Sequence, residues 1–173
     1  RQILSFLRGA DQPYSVFNLS HVIQDLTVII RETFPKTIGF DAIVSDSLRH
    51  VVGNATQIQQ VLLNICMNAK DALIEKNGGS ILLTCNEVER GESVDRILYN
   101  CVSIKDDGVG IPAELLATIF EPFFTTKQIG KGTGLGLSTA QSIVNSHNGF
   151  LEVQSTVGEG TTFYLYLPIK QKL

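Results

Sequence analysis

The strongest constraint on the fold is a long amphipathic helix pattern that runs from about Asn54 to Lys76. Apolar residues recur about once per turn on one side of it, as expected of a helix with a buried face. They are Ile58, Leu62, Ile65, Ala69 and Leu73. Asn77, Gly78 and Gly79 end the pattern, because such residues favour the left-handed backbone of a helix C-cap. A helix of this kind must bury its apolar face against a sheet or another helix.

Two further helix patterns and five strand patterns surround this helix. The helices are "NLSHVIQDLTVIIRETF", which Asn18 caps and Pro35 ends, and "LGLSTAQSIVNSH". The strands are "IGFDAIVS", "SILLTCNEV", "RILYNCVSIKD", "FLEVQST" and "TTFYLYLP". These patterns predict an α+β fold: a two-layer α/β sandwich whose mixed, mostly antiparallel sheet of about five strands is covered on one face by three helices.

Composition places the chain among globular domains. Its 173 residues are 43% hydrophobic and 18% charged, enough for one domain with a core. The net charge of −3 argues against a nucleic-acid partner, and no apolar run approaches the roughly 20 residues of a membrane span. Cys66, Cys85 and Cys101 form no CxxC pair, so we expect three reduced thiols in a cytoplasmic protein.

The first residues are expected to belong to a different element. "RQILSFLRG" has apolar residues at helical spacing but is too short for a stable helix, so it predicts the end of a helix whose body lies upstream. The chain starts at Arg1 and its one methionine is Met67, which we interpret as the sign of a longer protein. We therefore predict a helix end and linker over residues 1–16 and one globular domain over residues 17–173.

The long helix carries a second stripe of amide and carboxyl side chains. Its members are Gln57, Gln60, Asn64, Asn68 and Asp71. Asn64 and Asn68 are one turn apart and Asp71 follows three residues later, so the three side chains point the same way. One interpretation is a solvated face. The other is a row of oxygen ligands, because a surface helix would use Lys and Glu and because amide oxygen suits Mg²⁺.

A second candidate site is the loop "IKDDGVGIP". Asp106 and Asp107 stand at the end of a predicted strand, and Gly108 and Gly110 follow them. A strand that ends in an ordinary turn would account for this pattern. Alternatively, one acid accepts a hydrogen bond from the amino group of a flat ligand, and the glycines allow that ligand to approach.

The third candidate is "GKGTGLGLS", with a glycine at every second position from Gly130 to Gly136. It is not a GxxxxGK[ST] phosphate loop, because Gly132 follows Lys131, and it is not a GxGxxG dinucleotide loop, because no strand precedes it. A floppy surface loop is one interpretation. The other is an anion site, because the run leads into a helix whose first N–H groups and dipole favour a phosphate.

The amide-bearing helix, the Asp106 loop and the glycine run follow one another along the chain. In this order they closely resemble the ATP-binding catalytic domain of sensor histidine kinases, within the superfamily that includes DNA gyrase and Hsp90. "QVLLNICMNAKDAL" is similar to the N box of that family, "DDGVGIP" to the G1 box, "IFEPFFTTK" to the F box and "GTGLGLS" to the G2 box. The resemblance covers about residues 17–168, and "EPFFTTK" resembles the nitrogen-sensor-like and hybrid-kinase subgroup. It implies the Bergerat ATP-binding fold, with ATP and Mg²⁺ as cofactors.

The resemblance also implies roles for individual residues. Asn68 would coordinate Mg²⁺, and Asn64 would contact phosphate or metal-bound water. Asp106, supported by Thr161, would accept a hydrogen bond from the adenine amino group. An ATP lid would span about residues 112–133, with Lys127 as a phosphate contact, so the implied catalytic residues are Asn64, Asn68 and Lys127. The other implied nucleotide contacts are Asp71, Gly108, Gly110, Ile111, Phe124, Gly132, Thr133, Gly134, Leu135, Gly136 and Leu137.

Within this set, Gly108 and Gly110 are expected to leave room for the adenine ring. The later glycines are expected to bring backbone amides to the phosphates, with Leu135 and Leu137 packed behind them. Three aromatic residues are expected to anchor or close the lid: Phe120, Phe123 and Phe124.

Three features depart from the family pattern. Many members have Lys-Tyr or Arg-Tyr where this chain has Asp71-Ala72, so adenine stacking must come from elsewhere. Clamp-type ATPases have a glutamate where this chain has Asn64, an amide that takes no proton at neutral pH, so transfer is favoured over hydrolysis. No histidine stands in a phosphoacceptor context, and the last of the three is expected to cap a helix. The histidines are His21, His50 and His147.

The function implied by the resemblance is transfer of the γ-phosphate of Mg-ATP to a histidine on a dimerisation domain outside this chain, for relay to an aspartate of a response-regulator receiver domain. It implies a homodimeric full-length protein and a cytoplasmic domain that contacts neither membrane nor nucleic acid. Two alternatives remain. An ATP-hydrolysing clamp is disfavoured by the missing glutamate, and a non-catalytic nucleotide-sensing module by the intact boxes.

Overall fold

The computed structural model describes residues 13–91, 96–126 and 132–169. The elements are β1 (Ser15–Phe17), α1 (Leu19–Thr33), β2 (Ile38–Val44), β3 (Val51–Gly53), α2 (Ala55–Glu75), β4 (Gly79–Arg90), β5 (Ile97–Asp106), a 3₁₀ turn (Ala113–Leu115), α3 (Gly136–Ser146), β6 (Phe150–Thr156) and β7 (Gly160–Pro168). The three predicted helices and five predicted strands are all present, so the predicted fold is confirmed. The segment 1–16 lies mostly outside the described residues.

Asparagine side chains fix where the first two helices begin. The Oδ1 atom of Asn18 accepts a hydrogen bond from the backbone N–H of Ser20 at the start of α1, at 2.9 Å. Asn54 does the same at the start of α2. At the other end of α2, Asn77 adopts φ 67° and the N–H of Gly78 donates to the carbonyl of Leu73. The cap at Asn18 and the stop after Lys76 are those that the sequence predicts, and the stop ends α2 beside the start of β4.

The five long strands form one sheet in the order β2-β4-β5-β7-β6. The β2–β4 pair is parallel and the other three pairs are antiparallel, so the sheet is mixed and mostly antiparallel as predicted. Asp106 is the last residue of β5 and is paired with Ile81 of β4 on one side and Thr161 of β7 on the other. The topology therefore places the DxG loop at the end of a central strand.

The helices cover one face of this sheet. The predicted apolar face of α2 is at most 3% exposed, which confirms it as core. It packs in one cluster with α1 and with the inward residues of the central strands. Those strand residues are Ile81, Leu83, Cys85, Val102, Ile104 and Leu165. Cys66 and Cys85 are free thiols in this core, and burial raises the pKa of each to about 12, so both are unreactive.

A second, two-stranded sheet pairs β1 with β3 in antiparallel register, with Val16 opposite Val52. The sequence predicts a linker or a short extended segment for residues 11–17, and three-residue strands are too short to show the alternation that would identify them. No helix in the described ranges is both long and apolar enough to cross a membrane.

Candidate functional site

The buried carboxyl group of Asp106 is the most constrained polar group of the site. Its side chain is 3% exposed, and its Oδ1 atom accepts a hydrogen bond from the N–H of Gly108 at 2.9 Å. The backbone N–H of Thr161 also donates to this carboxyl. Burial raises the pKa of Asp106 above its usual range, and the two backbone bonds oppose that shift without cancelling it. The fold thus holds a hydrogen-bond acceptor rigidly at the end of β5.

Asp107, the second acid of the motif, has a structural role. Its carboxylate accepts hydrogen bonds from the backbone N–H and the hydroxyl of Ser80, at 2.8 and 3.2 Å. These bonds hold the pKa of Asp107 below its usual range. Lys76, at the end of α2, donates to the backbone carbonyl of Asp107 at 2.6 Å. Asp107 therefore fastens the loop to α2 and β4. Of the two acids, Asp106 is the candidate that would accept a hydrogen bond from a ligand.

The two loop glycines also allow close packing, in addition to the role expected for them beside adenine. A Cβ atom on Gly108 would lie 2.8 Å from the Cβ atom of Ala72 on α2. Gly110 has φ 75°, and a Cβ atom there would lie 2.2 Å from the carbonyl oxygen of Thr156. Both glycines let the loop lie against neighbouring elements, and their role beside a ligand stays a prediction. The same packing explains why residue 72 is small.

We expect Gly110→Ala to destabilise the fold by about 2–3 kcal/mol, because it combines left-handed backbone strain with a collision against backbone. Gly158→Ala is the matched control, since Gly158 has φ 84° with no atom within 4 Å of its Cβ position. Its expected cost is about 1 kcal/mol. Urea unfolding measures both variants. Equal costs would contradict the close packing of Gly110 on the β6–β7 turn.

The amide stripe of α2 is not a solvated face. All five of its residues are half-buried, and the buried Oε1 of Gln57 and Nε2 of Gln60 make no hydrogen bond in the described part of the chain. The Nδ2 atom of Asn64 donates to the carbonyl of Gly136, the first residue of α3, at 3.1 Å. The Asn68 side chain makes no hydrogen bond to any described residue, so its oxygen is available to a ligand. Asp71 lies 3.9 Å from Lys70 on the same helix.

The glycine run leads into α3, as predicted, but Gly134 and Gly136 differ in how closely other atoms surround them. Gly134 has φ 65°, and a Cβ atom there would lie 2.4 Å from the backbone of Phe123. The N–H of Phe123 donates to the carbonyl of Gly134 at 2.9 Å, so the F box is fastened to the run. At Gly136 the nearest atom to a Cβ position is the Asn64 Cγ, at 3.9 Å. Gly136 is thus the more open of the two and the better candidate for an approach by phosphate.

The side chains around the glycine run agree only partly with expectation. Leu137 packs against the core, whereas Leu135 is 38% exposed and does not pack behind the glycines. The reason is that Leu135 immediately precedes the helix, with its backbone at the N-cap position. Gly132 is half-buried, and the hydroxyl of Thr133 is 3.4 Å from the N–H of Leu135.

Two of the three aromatic residues that were predicted to anchor a lid pack against the domain. Phe120 meets Phe163 of β7 edge-on at 6.4 Å between centroids, and Phe124 packs against the core. Phe123 is 75% exposed, because its backbone rather than its ring contacts the glycine run. Lys127, the predicted phosphate contact, lies outside the described residues.

A hydroxyl relay missed by sequence reasoning supports the loop from the β6 side. The hydroxyl of Ser155 accepts from the N–H of Ile111 at 2.7 Å and lies 2.8 Å from the hydroxyl of Thr161. Thr161 thus reaches Asp106 with its backbone N–H and the loop with its side chain through Ser155. The pairing of Ser155 with Thr161 across β6 and β7 brings these groups together, and no local sequence motif predicts this contact.

Two shallow grooves lie elsewhere on the domain and do not include these residues. One, of about 250 Å³, lies between the end of α1 and β2 and is lined mainly by Ile30, Phe34, Ile38 and Phe40. The other, of about 220 Å³, lies beside Tyr14, Val52 and Ile169. Neither offers a buried acid or a helix N-terminus, so neither has the chemistry predicted for a nucleotide.

The oxygen atoms of the candidate site suit a hard cation that is also bound by the phosphates of a substrate. Among residues 13–91, 96–126 and 132–169, no three His, Cys, Asp or Glu side chains lie close enough together to hold a metal ion. The half-buried amide oxygen of Asn68 is a hard, neutral donor. Mg²⁺ is commonly bound through one or two protein oxygens and the phosphates of a substrate, so these residues suit it.

The fold is an ATP-binding fold of the α/β sandwich type. The solved catalytic domain of histidine kinase ThkA, in a nucleotide-free form, superposes with a TM-score of 0.72 at 32% identity, over 91% of this chain and 99% of that domain. The family described as "Histidine kinase-, DNA gyrase B-, and HSP90-like ATPase" matches residues 53–171, and the chain belongs to it.

Full-length relatives extend well beyond this domain. Sensor kinase CckA of Brucella abortus (strain 2308) is 37% identical over 175 residues, which cover 97% of this chain and 18% of that protein. Sensory histidine kinase/phosphatase NtrB of Vibrio alginolyticus is 34% identical over 173 residues, or 98% of this chain and 49% of that protein. The chain therefore spans less than half the length of these relatives, and the resemblance to sensor histidine kinases is confirmed.

Proposed function

We propose that this chain binds Mg-ATP and passes the γ-phosphate to a histidine on a separate dimerisation domain. The observation that carries the proposal is the distribution of polar groups along α2. Asp106 and Gly108 lie beside Ala72 near one end of the helix, and Gly136 lies beside Asn64 nearer the other. Eight helical residues separate Ala72 from Asn64, a rise of about 12 Å, which suits an extended nucleotide with its base at one end and its phosphates at the other.

The base end selects adenine through Asp106. One oxygen of its carboxyl group already accepts from Gly108, so the group is oriented before the ligand arrives. Adenine presents an amino donor to such an acceptor, whereas guanine presents a carbonyl at the corresponding ring position. A buried acceptor left facing a carbonyl is costly, so the site prefers ATP over GTP.

The phosphate end is formed by Asn68, Asn64 and the N-terminus of α3. Asn68 would hold Mg²⁺ through its amide oxygen, and when bound the ion neutralises charge on the phosphates. The first N–H groups of α3, from Gly136 onward, would donate to phosphate oxygens. Lys127 would add a positive charge from the lid.

Transfer is a better match to these residues than hydrolysis. A hydrolase needs a base to activate water, and the position one turn before Asn68 is Asn64, whose Nδ2 donates to the carbonyl of Gly136. An amide cannot accept a proton in this role. A neutral histidine nitrogen already has a lone pair, so it attacks phosphorus without a base from this domain, and positioning does most of the work.

The wider arrangement is part of the same proposal. Residues 1–16 would end a helix of the dimerisation and phosphoacceptor domain, and residues 17–173 would form the catalytic domain. The whole protein would be a homodimer whose phosphohistidine supplies a response-regulator receiver domain, and this domain would work in the cytoplasm without contact to membrane or nucleic acid.

Labelled ATP tests this proposal. The chain is incubated with γ-labelled ATP and Mg²⁺, alone and with the separately purified dimerisation domain of the same protein. We expect no label on the chain alone and acid-labile, alkali-stable label on the dimerisation domain. Stable label on His21, His50 or His147, or release of phosphate by the chain alone that Asn64→Ala abolishes, would overturn it.

A further inference from the structure

His147 lies at the C-terminal end of α3, and its ring makes hydrogen bonds through both nitrogens, including a long contact of 3.3 Å between Nδ1 and the hydroxyl of the neighbouring Ser146. Its side chain is 3% exposed. The Nδ1 atom lies 2.7 Å from the carbonyl oxygen of Ile143, and the Nε2 atom lies 2.9 Å from the backbone nitrogen of Asn54. A carbonyl only accepts and a backbone N–H only donates, so Nδ1 carries the proton and Nε2 accepts. The expected helix cap is confirmed by the first bond, and the second extends beyond α3 to the residue that caps α2.

The ring lies between Tyr14, which precedes β1, and Gly53 of β3. Tyr14 stacks on it at 4.8 Å between centroids, and the Tyr14 hydroxyl donates to the carbonyl of Ser146 at 3.1 Å. A Cβ atom on Gly53 would lie 2.2 Å from the ring. The absence of a side chain at residue 53 is therefore what admits the imidazole to the N-terminal end of α2.

Two hydrogen bonds of at most 3.1 Å between described residues tie α3 to α2 and its cap, and the bond from Asn54 to His147 is one of them. The other joins the Nδ2 atom of Asn64 to the carbonyl of Gly136. The ties are ten residues apart on α2 and eleven apart on α3, which correspond to about 15 Å and 16 Å of helix. The spacings agree, so α3 is fastened at both of its ends to the N-terminal half of the antiparallel α2, and it cannot slide along α2 without losing one tie.

From these ties we infer that His147 is a positioning residue for the nucleotide site. It fixes the register of α3 on α2 and so holds the N-terminus of α3, at Gly136, opposite Asn64 and Asn68. The inference rests on the proposed function, since it concerns the phosphate end of that site. A cap that served α3 alone would need only the bond to Ile143.

Two substitutions separate the two bonds of the ring. In His147→Gln, the side chain is long enough to bring an acceptor to the position of Nε2, so the tie to Asn54 is kept. In His147→Asn, the amide reaches only the position of Nδ1, so the local cap is kept and the tie is lost. We expect Mg-ATP affinity within about threefold of the parent for the glutamine variant and at least about tenfold weaker for the asparagine variant.

A second readout needs no nucleotide. The side-chain NH₂ signals of Asn64 in NMR spectra report its bond to Gly136, about 15 Å along α2 from Asn54. We expect these signals to move in His147→Asn and to stay in His147→Gln. If His147→Asn does not fold, Gly53→Ala takes its place, because it displaces the ring without removing it, and it is expected to move the same signals. Asparagine and glutamine variants of the exposed His21 are the matched controls and should change neither readout.

The outcomes distinguish this inference from the function on which it rests. If the parent chain does not bind Mg-ATP, the proposed function fails, and the Asn64 signals still test the register of α3. If His147→Asn keeps parental affinity and unmoved Asn64 signals, or if His147→Gln is the more damaging variant, His147 is only a local cap and the inference is wrong.

Discussion

Replacing Asp106 by asparagine is expected to weaken ATP binding by about 10- to 100-fold while the domain stays folded. The side-chain oxygen of asparagine can keep the bond from Gly108, but the second position then carries an NH₂ group. That donor would face the amino donor of adenine. Calorimetric titration of ATP measures the loss, and ITP, which lacks the amino group, should show little difference between parent and variant.

Stability gives this variant a second test with a definite sign. Because burial raises the pKa of Asp106, the native state binds this proton more readily than the unfolded chain does. The carboxyl group therefore favours the native state when protonated, and this contribution is lost as the pH rises through its raised native pKa. Asp106→Asn should accordingly be at least as stable as the parent at pH 7, and its advantage should shrink as the pH falls.

The control for Asp106 is Asp41→Asn, an exposed position on β2. It should change neither ATP affinity nor stability. Unchanged ATP affinity in Asp106→Asn would remove the base end of the proposed site. A weaker affinity that accompanies a large loss of stability at pH 7 would show that the carboxyl group supports the fold rather than the ligand.

Replacing Asn68 by alanine is expected to change ATP binding only through the metal. The parent chain should bind ATP about tenfold more tightly with Mg²⁺ than without it, and the variant should bind equally in both conditions. The reason is that the Asn68 amide oxygen is the one protein ligand that the proposal assigns to the ion. Titrations with Mg²⁺ and with EDTA measure the difference.

Two further variants serve as comparisons for Asn68→Ala. Asn68→Asp supplies a charged oxygen at the same position and should keep the dependence on Mg²⁺. Asn145→Ala removes an exposed asparagine from α3 and should leave both affinities unchanged. A full Mg²⁺ effect in Asn68→Ala would mean that the ion is held elsewhere, and the assignment of the amide stripe would be wrong.

Local patterns predict most of the fold because the deciding interactions lie close together in the sequence. Asn18 and Asn54 cap helices through bonds to residues two and three positions away, and the apolar spacing of α2 alone identifies its buried face. The two halves of the candidate site were also local patterns, around Asn68 and Asp106. Their order along the chain, rather than either motif alone, indicates a shared ligand.

What the sequence misses depends on contacts between distant residues. Residue 110 must lack a side chain because the carbonyl of Thr156 in β6 lies against it. The hydrogen bond between His147 and Asn54 joins residues 93 positions apart. Neither contact leaves a periodic signal. Leu135 was expected to pack behind the glycine run, but the turn into α3 leaves it exposed. Side-chain direction at a helix entry is set by tertiary packing that spacing does not encode.

The most direct test of the nucleotide site is a titration of the ¹⁵N-labelled chain with Mg-ATP, followed by the backbone amide signals. Saturable shifts are predicted at Asn64, Asn68, Gly108 and Gly136, with a dissociation constant roughly in the micromolar to millimolar range. Signals on the outer face of the sheet, such as that of Tyr164, should not move. Shifts confined to the groove between α1 and β2, or no saturable shift, would contradict the site proposed along α2.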